Sequence, residues 1–193
     1  QEFAKYRNLE TMLADMLGEA PNQVSIINFD SKPEAASPFT SDIAQWTDAG
    51  IEVTYCIITD GDAGGFDHSV PRSEIGTIRR AEQTAAAKEL GVSDVRFLGY
   101  RDGRLEVSFD LRRDIARVIR EVRPQRVVCQ SPQRNMMRIP ASHPDHLAAG
   151  EATMCAIYPD ARNPFAFSEL SDLEAWSVAE TWVSGMERVN RYV

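Results

Sequence analysis

The stretch Ser142-His143-Pro144-Asp145-His146 places two of the chain's three histidines and a carboxylate within five residues. It reads as the start of a helix, where positions three apart lie close together on the first turn. The helix dipole there disfavours imidazolium, and neutral imidazole is the form that binds a metal. A catalytic zinc takes three protein ligands and keeps one position open, so the pentapeptide supplies part of such a site at most. Ser142 reads as the N-cap, and Pro144 fits the first helical turn, where its missing N–H costs nothing. The competing reading is plain capping chemistry with both rings solvated.

Two further clusters could take part. In "TDGDAGG", Asp60 and Asp62 stand among three glycines, a pattern that also describes an ordinary Asx-capped turn. It is not a phosphate loop of the familiar kinds, since neither G-x-G-x-x-G after the first strand nor a following G-K-[ST] is present. In "GYRDG", Arg101 and Asp102 could grip a polar substrate or simply form a turn. Cys56, Cys129 and Cys155 are widely spaced without a C-x-x-C pair, and the first two fall in apolar runs where cysteine behaves as a small hydrophobe. Catalytic cysteine is therefore the weaker reading.

The elements that must position these groups alternate regularly. "QVSIIN" (Gln23–Asn28) and "IEVTYCIIT" (51–59) read as buried strands, with a helix over 41–48 between them that ends at Gly50. A helix over 73–90 follows, with Gly91 as its stop. "DVRFLGY" is a third strand and "QRVVCQ" a fourth. Between them "SFDLRRDIARVIREVRP" carries an apolar stripe of Leu111, Ile115, Val118, Ile119 and Val122. Residues 144–158 form the next helix. Such alternation implies an α/β, Rossmann-like three-layer fold with a mostly parallel sheet. Ligands then bind at the carboxyl ends of the strands, where the loops holding Asp62, Arg101, Asp102 and the histidine pair all fall. Beyond residue 163 "ETWVSGMERVNRYV" could add further strands. The expectation is one domain over 1–193, truncated at its C-terminal end.

Twenty-one Lys and Arg against 29 Asp and Glu give a net charge of −8, which argues against a nucleic-acid or anionic-membrane partner. No apolar run approaches the roughly 20 residues of a membrane span. The odd cysteine count and a start without a basic and then apolar segment set the expectation of a cytoplasmic protein. A small-molecule substrate is the expected partner, and a homo-oligomer stays open.

"ITDGDAGG", the Arg79/Arg80–Glu82 helix start, "FLGYRDGRL", "RPQRVVCQSPQRN" and "ASHPDHLAAGEA", in this order, resemble the LmbE-like, or PIG-L, deacetylase family, and "YPDARNPFAF" resembles its actinobacterial branch. The likeness covers roughly 24–183. It implies a Rossmann-like fold and zinc-dependent removal of acyl groups from amino sugars, or hydrolysis of related amides, including thiol conjugates. In that family the first strand ends in A-H-P-D-D-x-E. The His and second Asp bind the metal, the first Asp is the general base, and H-P-D-H supplies an oxyanion helper and then the third ligand. The resemblance thus assigns His146 to the metal and His143 to the oxyanion.

The first-strand loop departs from this pattern. Laid without a gap on the motif, "NFDSKPE" matches only at Glu34, with Phe29 in the place of the His ligand, Ser31 of the base and Lys32 of the Asp ligand. Phenylalanine has no lone pair for a metal, and lysine brings a cation. Three readings stay open: Lys32 stands in for the metal; Asp30 slips in register and rebuilds a site with Asp62, Asp145 and His146; or hydrolysis is lost and the pocket only binds. The candidate catalytic residues are His143, Asp30, Ser31 and Lys32, and the substrate-binding ones Asp62, Arg79, Arg101 and Asp102. His146, with Asp30 or Asp62, is the candidate metal site, and zinc is the cofactor the resemblance implies. The expected activity is N-deacetylase-type amide hydrolysis with an altered zinc site; the alternative is a metal-free binding module using the same pocket.

Overall fold

A computed structural model of the chain describes residues 23–28, 40–65, 68–137, 139 and 142–184, with the backbone alone for 23–28, 40 and 41. Strands and helices alternate as the sequence implies: β1 (Gln23–Asn28), α1 (Thr40–Asp48), β2 (Glu52–Thr59), α2 (Arg72–Glu89), β3 (Asp94–Tyr100), α3 (Phe109–Val122), β4 (Arg126–Gln130), α4 (Pro144–Cys155) and β5 (Glu180–Ser184). The five strands form one sheet in the order β3-β2-β1-β4-β5, and every pairing is parallel. Among the described residues, the C-terminal segment contributes one such strand, β5, which pairs with β4 from Arg126↔Glu180 to Gln130↔Ser184.

Burial on both faces explains why β2 is apolar from Val53 to Ile58. Val53, Tyr55 and Ile57 pack with Ile43 and Trp46 of α1 and Ala87 of α2. Cys56 and Ile58 point the other way, toward Leu111, Ile115, Val118 and Ile119 of α3 and Ala148, Ala149 and Ala152 of α4. Successive strand residues alternate between faces, so one strand feeds two cores and the sheet lies between helical layers. The α3 stripe is the one the heptad-like spacing predicts, and Ser108 caps it by accepting from the Leu111 N–H at 3.1 Å. Burial pushes the thiols of Cys56 and Cys129 up to about 12. Neither is a thiolate near neutral pH, which removes both as nucleophiles.

Two details of packing fix where the carboxyl edge carries its chemistry. The sheet order reverses between β1 and β4, and the crevice at such a switch point is where open α/β sheets take ligands. In α4, Gly150 lies against the end of β4: a Cβ there would stand 2.6 Å from the Gln130 carbonyl oxygen and 2.9 Å from the Pro132 nitrogen. Helix and strand end therefore meet backbone to backbone, and the N-terminus of α4, with its histidines, is held at the edge. Past α4, the chain returns over α3, where Arg120, 2% exposed, donates to the carbonyls of Asp160, Ala161, Asn163 and Leu170 at 2.7–3.2 Å. No helix among the described residues is long and apolar enough to cross a membrane.

Candidate active site at the carboxyl edge of the sheet

The helix α4 begins at Pro144 as its sequence suggests, but with a different cap. His143, not Ser142, is the N-cap: its Nδ1 accepts from the Asp145 N–H at 3.2 Å, with Pro144 in the first turn. The Ser142 hydroxyl is used elsewhere, accepting from the Asn135 N–H at 2.7 Å and closing the loop after β4. The two imidazoles stand together as the spacing requires, their ring centroids 5.2 Å apart. His143 is exposed and His146 half-buried.

Asp145 is 1% exposed, and its carboxylate faces the loop after β3. It accepts from the Gly103 N–H at 2.6 Å and the Leu105 N–H at 3.2 Å. The neighbouring Asp102 N–H donates to Asp62 at 2.8 Å. Three loops are thereby tied in one chain of hydrogen bonds, from Asp62 after β2, through 102–105 after β3, to Asp145 and His143 at the start of α4. Asp145, a ligand in the slipped-register reading, has both oxygens engaged by this loop. Asp62 keeps its second oxygen outside the bond to Asp102.

The loop after β2 is fixed from below. Gly61 and Gly65 have φ of +63° and +82°, a conformation that side chains with a Cβ rarely adopt. Arg72 reaches up from α2 to the carbonyls of Gly64 at 2.7 Å, Gly65 at 3.2 Å and Asp62. Arg80 pairs with Asp60 through two bonds of 2.9 Å each. Sequence reasoning missed both roles; their signal is the spacing of Arg72, Gly76 and Arg80 along one face of α2. Arg79, by contrast, turns onto Glu82 of its own helix at 2.6 Å. Arg101 is exposed, and its side chain is not part of the network that joins Asp62 to His143. The positions of Asp30, Ser31 and Lys32 lie outside the described residues.

Electrostatics act differently on the Asp102 carboxyl and the His146 ring. Burial, and then the neighbouring Asp145, push the Asp102 carboxyl above the usual range, against the pull of its Gly103 hydrogen bond. Burial lowers His146 from 6.5 to about 4, His143 adds to the drop, and Asp145 opposes it. His146 is therefore a neutral imidazole at neutral pH, the state in which a ring nitrogen offers its lone pair. In chelator-treated protein its NMR titration midpoint should fall near 4, and a midpoint of 6 or above would contradict this environment. Because the folded value lies below the unfolded one, the neutral ring's contribution to stability is present above pH 6.5. It is lost as pH falls from there toward 4.

Residues 35–157 match the PIG-L family, described as GlcNAc-PI de-N-acetylase, over more than half of the chain. The chain belongs to the PIG-L family. Its match to that family starts just past Glu34, so the departing motif lies upstream of it. Among its relatives is the diacetylchitobiose deacetylase of Thermococcus kodakarensis, 36% identical over 56% of this chain and 39% of the relative. Another is the 1D-myo-inositol 2-acetamido-2-deoxy-alpha-D-glucopyranoside deacetylase of Streptomyces scabiei, 31% identical over 77% of this chain and 54% of the relative. The chain thus spans about half the length of these curated relatives. The solved N,N'-diacetylchitobiose deacetylase from Pyrococcus horikoshii, complexed with its inhibitor MPG, superposes with a TM-score of 0.72 at 26% identity. It covers 89% of this PIG-L chain and 67% of its own.

PIG-L members are generally zinc-dependent. Here no group of three His, Cys, Asp or Glu side chains suited to a metal occurs among the described residues. His146 has the right protonation state for one ligand, while both oxygens of Asp145 accept backbone N–H groups. The described donors do not fit a three-ligand zinc by themselves. The remaining ligands of such a set would lie outside the described residues, as does the loop where the ungapped reading sets Phe29 and Lys32.

Proposed function

We propose that this chain is an N-deacetylase-type amide hydrolase for a small polar substrate, an amino sugar or a thiol conjugate, with the family's zinc site altered. The observation that supports it most is the hydrogen-bond chain joining Asp62, Asp102, Asp145 and His143 at the switch point of the sheet. The His143 Nδ1 accepts from the Asp145 N–H, so the neutral ring carries its proton on Nε2. That N–H is the donor for the oxyanion that forms when an acetamide carbonyl is attacked. Asp62 or Asp30 serves as the general base toward water, in place of the family's aspartate at the position of Ser31. Lys32 supplies positive charge where the family places the metal. Arg79, Arg101 and Asp102 grip the polar substrate.

The experiment follows acetate release from diacetylchitobiose and from 1D-myo-inositol 2-acetamido-2-deoxy-alpha-D-glucopyranoside, the substrates named for relatives, alongside metal content before and after dialysis with zinc. Acetate release without stoichiometric metal supports the altered site. Release that tracks one tightly held zinc overturns the alteration but keeps the hydrolase. Neither release nor binding overturns both. A second reading, a metal-free binding module, is favoured by Phe29 and Lys32 at the ligand positions; it predicts saturable substrate binding with no acetate released.

A further inference from the structure

Beside the histidine site, a second cleft opens between the start of α2 and the carboxyl ends of β2 and β3. Its volume is about 570 Å³, and none of its walls is His143, His146 or Asp145. Arg72, Ser73, Thr77 and Arg80 line it from α2, with Tyr100 and Arg101 opposite. The size lies within the range of small-molecule sites.

Charge decides what such a cleft would hold. Three guanidiniums line it, of Arg72, Arg80 and Arg101, against two carboxylates, of Asp60 and Asp62. Asp60 is consumed by Arg80 in a two-point pair, and that pair is locked in place. Arg80 also lies over the Phe97 ring at 5.1 Å, and a Cβ at Gly76 or Gly99 would stand 3.4 Å from the Asp60 Cβ or 3.3 Å from the Arg80 Nη2. Asp62 accepts from the Asp102 N–H. Arg72 donates to carbonyls and is paired with no carboxylate among the described residues. Arg101 has no ion pair or hydrogen bond among the described residues. Among the described residues the cleft thus carries one guanidinium more than it has carboxylates, beside two hydroxyls, in a chain whose net charge is −8.

We propose that this cleft binds a phosphate group, free or as the monoester of a small polar molecule. A phosphate dianion presents three strong acceptor oxygens and suits guanidinium forks. Its three oxygens can be shared among Arg72, Arg101 and the Ser73 and Thr77 hydroxyls, where a monocarboxylate offers only two. The cleft shares Asp62 and Arg101 with the proposed hydrolase site but none of its histidines, and its test reads phosphate binding, which can succeed or fail whether or not acetate is released.

Calorimetric titration of the full chain tests it, with sodium phosphate, glucose 6-phosphate and glucose as probes at ionic strength matched with chloride. Saturable binding of phosphate is expected, with glucose silent. Binding of glucose 6-phosphate alone assigns the cleft to a monoester, and binding of inorganic phosphate as well assigns it to the free anion. Arg101→Glu and Thr77→Asp each put a carboxylate on a different, exposed wall, and circular dichroism checks that both fold. At least a tenfold loss of affinity in a folded variant supports the site. No saturation with either phosphate, or wild-type affinity in both variants, overturns it.

Discussion

Replacing Asp145 with alanine lowers stability by about 3 kcal/mol, since each buried donor left without an acceptor costs roughly 1–3 kcal/mol. Two such donors depend on this side chain, the N–H groups of Gly103 and Leu105. Leu105 is 6% exposed and has little access to water, whereas Gly103 is exposed and can recover a bond from solvent. The expected cost therefore lies below the sum of two full penalties. In a chain of this size it shifts the unfolding midpoint by about 6–12 °C. Asp145→Asn should fall between, because an amide offers one acceptor oxygen and sets an NH₂ group against the other donor. Thermal unfolding gives the magnitude, and amide exchange gives the location. Leu105 should lose protection while the centre of β2 keeps its own. A loss under about 1 kcal/mol, with Leu105 protection unchanged, would show that the carboxylate does not hold the loop.

The same residue marks the boundary of what the sequence makes legible. β2 could be read because burial on both faces writes itself as a continuous run of apolar and β-branched residues, and β1, β3 and β4 also fall within a residue of their expected bounds. Their lateral order could not, because 3-2-1-4-5 depends on which face each crossover takes, and no local pattern carries that. Gly91 could be read as a helix stop, and with φ of +74° it is one. At the site, residue types announced the histidines and acids but not their connections. "GYRDG" invited a reading in which Arg101 and Asp102 act through their side chains. Its part in the network is played by the N–H groups of 102 and 103, with that of Leu105 just beyond it, and a backbone donor leaves no signature in the sequence. Ser142 has the better capping propensity, yet His143 caps, because the serine hydroxyl is already engaged with Asn135. Arg120 is a charge set among the buried positions of α3, legible as an anomaly of the stripe but not as a clasp on four carbonyls.

The triple change Phe29→His, Ser31→Asp, Lys32→Asp should turn a chain expected to retain little zinc into one that holds about one ion after dialysis, the occupancy of a complete three-ligand site with its fourth position open. The expectation follows from what each residue contributes in the ungapped alignment. Phe29 has no lone pair to give, so its replacement adds a ligand. Lys32 does more than omit one: even at an effective dielectric of about 20, two unit charges roughly 4 Å apart interact by about 4 kcal/mol, and a dication doubles the repulsion. Removing that cation and adding a carboxylate act in the same direction. His146 is already neutral and prepared for the third position, so no change is needed on α4. Zinc content by mass spectrometry measures occupancy, and the His146 ring signal in NMR reports whether it is a ligand. Lys32→Asp alone should give a partial gain, because a two-ligand site binds weakly. If the triple variant folds and gains no zinc, the loop after β1 does not present residues 29 and 32 toward His146. The alternative register through Asp30 then becomes the better account, and Asp30→Ala in the unmodified chain separates it from loss of the metal site altogether by removing whatever weak zinc binding the native sequence retains.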